Sequence, residues 1–169
     1  MNSLLGTGFK YDARIILPDG RIIVDPRDSN LLPDVSVDFI AGLIRGDGTA
    51  PISSWYVGIF EADYVPTSGV TAADLPGVVG QSSAYVSATR PVWTHAYDGI
   101  SVISNAVAEA EFVMTAPKTI YGAFLISSSV KTGNTGVLLS IARFSSPKIL
   151  DTGSTLSIVA SLTLIPTVL

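Results

Sequence analysis

The chain has 169 residues, a net charge of −4 at neutral pH and no cysteine. Its length suits a single domain of ordinary size. Without cysteine, disulfides, thiolate nucleophiles and cysteine-ligated metal sites are excluded. The ten Lys and Arg residues are scattered singly along the chain. This disfavours nucleic-acid binding, because neutralising phosphates requires clustered basic groups.

Charged residues are scarce in this chain. They make up 14% of it, and the mean hydropathy is +0.47, whereas about 25% of a typical soluble domain is charged. No uninterrupted apolar run reaches the length of about 18 residues that a membrane span needs. Residues 1–10 lack the pattern of a secretory signal, so we expect cytoplasmic synthesis. We therefore expect copies of the chain or partner proteins to cover much of the surface, since stable interfaces are poor in charge.

The first predicted element is a β-hairpin. Phe9–Leu17 and Arg21–Asp25 are rich in β-forming residues, and Pro18-Asp19-Gly20 between them is a turn sequence. With the helix that follows, this hairpin forms a predicted N-terminal part, residues 1–50. We expect it to pack on or beside a main domain of residues 51–169, within one folding unit.

A helix is predicted after the polar segment Pro26–Pro33. Asp34 or Ser36 is expected to cap its start and Gly46 its end. Apolar residues recur at helical spacing, and we expect this stripe to bury against a sheet. The stripe consists of Val35, Phe39, Ile40, Leu43 and Ile44.

The rest of the chain predicts strands, with one long loop at Pro66–Gly80 that contains a possible helical turn at Thr71–Leu75. Such loops often form contact surfaces. A hairpin loop is predicted at Ser128–Gly136. The strands are predicted at Trp55–Phe60, Ser83–Val86, Val92–Ala96, Ile100–Ser104, Glu109–Met114, Thr119–Ser127 and Val137–Phe144. The fold class is therefore mainly β: an antiparallel β-sandwich or jelly-roll-like domain with an N-terminal hairpin and one flanking α-helix.

The last predicted strand alternates clearly between two faces. We expect the core face to carry Leu156, Ile158, Ala160, Leu162 and Leu164. The opposite face carries Ser157, Val159, Ser161, Thr163 and Ile165. Because two of these are large and apolar, we expect another element or subunit to cover part of that face.

The single histidine, His95, is the first residue to consider for catalysis. It lies between Trp93 and Tyr97, with Asp98 nearby. General-base catalysis would also need a presented nucleophile, and no Gly-x-Ser-x-Gly elbow is present. We predict no catalytic role for His95.

Two acidic residues, Glu109 and Glu111, would share one face of a strand, as the carboxylate pairs of glycosidases share a cleft. Ala110 and Phe112 between and after them fit the packed face. We therefore interpret Glu109 and Glu111 as a solvated strand face.

The remaining motifs are weak. Asp25, Asp28 and Asn30 could supply oxygen ligands, but their spacing matches no calcium loop, and we expect them to cap a loop. Gly6-Thr7-Gly8 is too short for a dinucleotide fingerprint. Arg45-Gly46-Asp47 is an adhesion tripeptide in some proteins, but helix capping explains Gly46. No catalytic, cofactor-binding or metal-binding residue is predicted, and we expect the protein not to be an enzyme.

The aromatic residues cluster between Trp55 and Tyr97. We expect most of them to lie in the core. Tyr64, beside Pro66 and the long loop, is the one we assign to an interface.

Four segments carry a family resemblance: Ser53–Thr67, Ala88–Thr94, Thr119–Ser128 and Thr135–Phe144. Together they resemble small virion structural proteins of tailed bacteriophages, namely head decoration, cement or neck- and tail-associated proteins encoded near the major capsid protein. The resemblance implies a location in the virion, assembled in the host cytoplasm. It implies the major capsid protein or other virion proteins as partners, with a homo-oligomer, a dimer or trimer, and no cofactor, nucleic acid or membrane.

Our first hypothesis is thus a capsid decoration or cement protein that stabilises the head shell by protein contacts. A neck, collar or tail-fibre component is the alternative within the virion. A carbohydrate- or cell-surface-binding module, using the loop Pro66–Gly80 and exposed aromatics, is an alternative of another class. A hydrolase would have only His95, Glu109 and Glu111 to work with.

Overall fold

A computed structural model of the chain describes residues 8–164. In chain order the elements are β1 (Gly8–Ile16), β2 (Ile22–Ser29), α1 (Asp34–Arg45), β3 (Tyr56–Phe60), β4 (Ala96–Tyr97), β5 (Val102–Ser104), β6 (Ala110–Val113), β7 (Lys118–Ile126), β8 (Leu138–Leu150) and β9 (Thr155–Thr163). A short 3₁₀ turn, Ala72–Asp74, lies in the long loop.

Two antiparallel sheets make up the fold. The larger sheet has the order β2-β1-β9-β5-β4, and β6 also pairs with β9. The smaller sheet has the order β3-β7-β8. The predicted fold class, mainly β with one helix, is confirmed.

The N-terminal hairpin forms as predicted, and it is continuous with the larger sheet. The turn closes with Gly20 at a φ of 84°, which glycine tolerates without strain. β1 pairs with β2 on one side and with the whole of β9 on the other. β2 continues beyond the predicted end at Asp25, through Pro26, to Ser29. Pro26 fits because it lies where the register of the β1–β2 pair is irregular, so its missing N–H interrupts little of the ladder.

The first core lies between the two sheets. Alternate residues of β1 and β9, such as Tyr11 and Ile158, meet alternate residues of β7 and β8, such as Leu125 and Phe144. The predicted core face of β9 is confirmed at Leu156, Ile158 and Ala160, which are buried. Leu162 is partly buried and packs against this core, as predicted. At Leu164 the prediction is wrong, because this residue lines an open pocket and is exposed. Ile165 lies outside the described residues.

A second core lies on the other face of the smaller sheet, and the long loop covers it. Val70, Leu75 and Val79 of the loop are buried against Phe124 of β7. We call residues 66–80 the loop cover. The loop can cover this face because the smaller sheet has two apolar faces and only one of them meets the larger sheet. Val78 of the loop is exposed, and the expectation that the loop is a contact surface stays a prediction.

Two glycines allow the second core to close on β3 and β7. In the β3–β7 register Gly58 lies opposite Phe124, and Phe60 lies opposite Gly122. A Cβ added at Gly58 would come within 2.1 Å of the Phe124 ring, and one at Gly122 within 2.2 Å of the Phe60 ring. Each phenylalanine ring therefore lies over the glycine of the neighbouring strand.

Helix α1 packs only part of its apolar surface. Gly46 ends it at a φ of 63°, as predicted, but its N-cap residue is Pro33, and neither Asp34 nor Ser36 caps the helix through its side chain. Ser36 and Gly42 are the buried positions, while Val35 and Phe39 are partly buried. Within the described residues no helix is long and apolar enough to cross a membrane.

The predicted apolar stripe of α1 is therefore wrong at three of its five positions. Ile40, Leu43 and Ile44 are exposed, Ile44 at 82%. The helix turns the side bearing Ser36 and Gly42 to the protein, since these small residues allow a close approach. Gly42 also leaves room for the segment that follows the helix, because a Cβ there would meet the Thr49 side chain at 2.3 Å.

Two predicted strands are reduced to single bridges. Ser83–Val86 contributes only the Tyr85–Met114 bridge, and Val92–Ala96 the Val92–Tyr56 bridge before β4 begins. Both segments are extended, as their β-forming residues indicate. A ladder also requires consecutive partners, and these segments find only one each.

Candidate docking surface

His95 and Asp98 are engaged separately. His95 is exposed and stacks on Trp93, with ring centroids 4.3 Å apart, and its Nδ1 lies 3.0 Å from the Trp93 carbonyl oxygen, to which it donates when protonated there. Asp98 Oδ1 accepts three backbone N–H groups of its own turn at 2.8–2.9 Å, and these hydrogen bonds lower the pKa of Asp98. The structure therefore gives His95 no orienting carboxylate from Asp98.

Glu109 and Glu111 occupy different environments. Glu109 precedes β6, and its Oε2 lies 2.5 Å from Arg14 Nη2. Because β1 and β6 flank β9, this ion pair crosses β9 on its outer face, next to Ser157, which is buried there. Glu111 is exposed. The solvated face is thus found at Glu111, whereas the chain itself covers the outer face of β9 at Ser157.

The oxygen-rich segment lies in a strand and not in a loop. Asp25 and Asp28 belong to β2, and Asn30 follows it. Among the residues that the structure describes, no group of three His, Cys, Asp or Glu side chains could hold a metal ion. Gly8 begins β1, and Gly6 and Thr7 lie outside the described residues.

The tripeptide Arg45-Gly46-Asp47 is folded into the end of α1. Asp47 Oδ1 accepts hydrogen bonds from the Thr49 hydroxyl at 2.6 Å and from the Thr49 N–H at 3.1 Å, and these lower the pKa of Asp47. Arg45 lies 3.4 Å from the Asp47 carboxylate. The segment is thus a helix end closed by its own side chains.

Arg90 is a buried charged residue with a structural role. Its guanidinium donates to the carbonyl oxygens of Ser128 and Gly133 at 2.8 Å, and its carbon Cζ lies 5.4 Å from the centroid of the Phe124 ring. Burial lowers the pKa of Arg90. Its donors hold the loop between β7 and β8, so they bind the protein's own backbone.

An apolar pocket of about 420 Å³ opens between α1, the end of β9 and the segment before β3. Its volume falls within the range of ligand-binding pockets, about 300–1,000 Å³. Of the described residues that line it, only Ser53 and His95 are not hydrophobic. The hydrophobic lining residues include Phe9, Phe39, Trp55, Trp93, Leu162 and Leu164.

Aromatic contacts hold the walls of this pocket in place. Phe9 packs edge-on against Trp93, and Phe39 edge-on against Trp55, each with ring centroids 5.7 Å apart. Trp93 Nε1–H donates to the Ala160 carbonyl oxygen at 3.0 Å. Four of the rings that line the pocket are thus held by contacts within the protein, and the His95 ring stacks on Trp93.

The exposed side of α1 extends the pocket. Val37, Ile40 and Ile44 lie at helical spacings of three and four residues, so they form one continuous row. Ile40 also lines the pocket, whereas Val37 and Ile44 are exposed beyond it. We call this row the helix face, and the pocket and helix face together the docking surface. Exposed apolar areas of this kind mark interaction sites.

Sequence reasoning placed most of the aromatic residues correctly and missed the docking surface. Trp55, Phe60, Tyr85 and Trp93 are buried, as expected, but Tyr97 is exposed. Tyr64, assigned to an interface, packs partly buried against the second core. One signal in the sequence of α1 could have indicated the docking surface. The apolar residues of α1 occupy more than one side of the helix, whereas a surface helix that packs on one sheet requires apolar residues on one side only.

Comparisons with protein-family models, with curated proteins and with solved structures found no match to this chain. The resemblance to phage virion proteins stays an expectation from the sequence motifs. The chemistry of the docking surface is apolar contact, with His95 and Ser53 as the polar groups among its described lining residues.

Proposed function

We propose that this protein is a non-catalytic structural protein of a bacteriophage virion, a decoration or cement protein that binds the head shell. The docking surface is the observation that supports this function best. It presents apolar side chains of α1 beside a preformed apolar pocket. Binding of a partner that removes such a surface from water is favourable, because burying apolar area lowers the free energy.

The low charge of the chain supports the same function. With 14% charged residues, the protein has few groups to desolvate when a neighbour covers it, and obligate interfaces are depleted in charge for this reason. A decoration protein needs no chemistry, because modest contacts repeated by the symmetry of a shell add up to stable attachment. A major capsid protein is the partner that this reading requires.

The carbohydrate-binding alternative has less support from the geometry. It relied on the long loop and on exposed aromatics. Val70, Leu75 and Val79 of the loop cover are buried, and both tryptophans are at least nine-tenths buried. Tyr97 and His95 remain as exposed rings, and neither lies beside an open acidic cleft in the described residues.

The experiment is incorporation into particles. Virions of the phage that encodes the protein would be assembled with its gene deleted and the protein supplied in trans, and its copies per purified virion counted by quantitative immunoblot. We expect hundreds of copies for a decoration protein, as the symmetry of a shell requires. About a dozen or fewer would favour the neck or tail instead, and absence from virions would overturn the proposed function.

A matched pair of variants tests the docking surface itself. Ile44→Lys places a charge on the helix face, and we expect incorporation to fall at least about tenfold, because a charge buried without a partner is costly. Ile149→Lys is the control, since Ile149 is similarly exposed and lies at the far end of β8 from Leu139, which lines the pocket. Equal incorporation of both variants would exclude the helix face from the interface.

A further inference from the structure

Strand β2 ends the larger sheet, and its first three residues are uncovered. β2 pairs with β1 and has no partner strand on its other side among the described residues. Ile22, Ile23 and Val24 are 55%, 51% and 72% exposed. Three consecutive exposed β-branched residues occupy both faces of the strand. An uncharged apolar edge of this kind readily pairs with another strand.

The hydrogen-bond pattern shows which backbone groups are free. Leu17 N–H donates to the Arg21 carbonyl oxygen at 2.9 Å, so residues 17 and 21 form a hydrogen-bonded pair. Along an antiparallel strand, backbone groups point alternately toward and away from a given neighbour. Ile22 and Val24 therefore direct their N–H and C=O groups away from β1, whereas those of Ile23, opposite Ile15, point toward it.

This alternation makes the edge complementary to itself. If two copies pair antiparallel about a two-fold axis at Ile23, Ile22 of each copy lies opposite Val24 of the other. Both residues have outward groups, so each such pair exchanges two hydrogen bonds, and the dimer gains four. A register centred on Val24 instead places Ile22 opposite Pro26, which has no N–H to donate. Pro26 also lies where the β1–β2 register is irregular, so its carbonyl group does not follow the regular alternation.

The charges at the ends of the segment agree with the same register. Centring on Ile23 places position 21 of one copy opposite position 25 of the other, and the sequence has Arg21 and Asp25 there. Opposite charges on directly opposed residues stabilise a sheet, and like charges destabilise it. Within one chain Arg21 forms an exposed ion pair with Asp19, with Nε 2.7 Å from Oδ2. Because both side chains are exposed, Arg21 remains accessible to a carboxylate of a second copy.

We infer that the β2 edge is a self-association site, at which two copies of this chain join their larger sheets into one continuous antiparallel sheet. The partner is a second copy, the contacts are the four outward backbone hydrogen bonds, and the flanking Arg21 and Asp25 fix the register. This site is separate from the docking surface and does not depend on the proposed function.

The first test removes one outward donor from each copy. In Val24→Pro the N–H that points away from β1 is lost, whereas the β1–β2 ladder keeps its bonds; Val24→Ala retains the N–H and is the control. Sedimentation velocity over a concentration series should show a monomer–dimer equilibrium for the wild type and Val24→Ala, and a dissociation constant raised at least about tenfold for Val24→Pro. A wild type that stays monomeric throughout, or equal association of the two variants, would overturn the inference.

The second test uses charge and keeps the backbone unchanged, so it stands even if Val24→Pro fails to fold. Arg21→Asp places like charges opposite each other in the dimer, and Asp25→Arg does the same with the other sign. Each should weaken association, and the double variant Arg21→Asp/Asp25→Arg should restore it, because only contacts between copies bring these positions together. Failure of the double variant to recover would show that the register is wrong.

Discussion

The loop cover and helix α1 differ in the burial of their apolar side chains. The loop cover has hardly any regular structure, yet Val70, Leu75 and Val79 are buried. Helix α1 is regular throughout, yet Ile40 and Ile44 are exposed. The difference lies in what each segment packs against: the loop lies over the second apolar face of the smaller sheet, whereas α1 packs through Ser36 and Gly42 with Val35 and Phe39 beside them, and no element of the described chain covers its other side. Regular structure and burial are thus separate properties, and the neighbouring surface decides the second.

The largest expected effect comes from removing a buried side chain of the loop cover. Leu75 is fully buried in the second core. Leu75→Ala should lower the free energy of unfolding by about 2–5 kcal/mol, because it leaves a cavity as well as losing apolar contacts. Urea denaturation measures this. A change below about 1 kcal/mol would mean that the loop cover is not part of the folded core.

The next largest loss of stability is expected for a substitution in the smaller sheet, beneath the loop cover. Gly58→Ala would drive a Cβ into the Phe124 ring and should cost about 1–3 kcal/mol of stability. The double variant Gly58→Ala/Phe124→Leu should be more stable than the sum of the two single changes implies, because the shorter side chain removes the clash. Additive losses in the double-mutant cycle would show that ring and glycine do not meet.

A smaller change in the free energy of unfolding, of opposite sign, is expected for a substitution on the buried side of α1. The Ser36 hydroxyl oxygen is buried and has no hydrogen-bond partner among the described residues. Ser36→Ala removes that desolvated group and raises helix propensity, so it should increase stability by roughly 0.5–1 kcal/mol. The midpoint of urea unfolding should rise. A loss of stability would indicate that the hydroxyl has a partner after all.

The smallest effect is expected on the helix face. Ile44→Ala should change the stability of the isolated protein by no more than about 0.5 kcal/mol, since the side chain is already in water. Paired with Leu75→Ala in the same denaturation series, it measures the contrast between the two regions directly. A loss comparable to that of Leu75→Ala would contradict the exposure of the helix face.

Much of the fold could be predicted from local pattern. The hairpin turn, the helix end at Gly46 and the hairpin between β7 and β8 are confirmed, because each depends on residues close together in the chain. The strand at Ser83–Val86 could not be corrected from sequence, since one bridge or a full ladder depends on a distant partner. The same limit applies to the docking surface, which joins Phe9, Trp55, Trp93 and Leu162 from four separate segments.

The candidate site shows this limit most clearly. Low charge predicted that the surface would be covered, and the helical spacing of α1 predicted an apolar row, but neither could say that the row faces outward. That orientation follows from contacts with distant segments, such as Phe39 with Trp55 and Val35 with the second core. Likewise, the outward direction of the groups on Ile22 and Val24 follows from the pairing of Leu17 with Arg21.

The sequence by itself determined the class of fold, the position of the helix, the main turns and the poverty of charge, because propensity, periodicity and composition are properties of short segments. Only the tertiary structure decided which apolar residues are covered, since burial depends on segments far apart in the chain meeting in space. It buried the loop cover over the smaller sheet and left the helix face beside an open pocket. It also placed β2 at the edge of the larger sheet, with the backbone groups of Ile22 and Val24 directed away from β1.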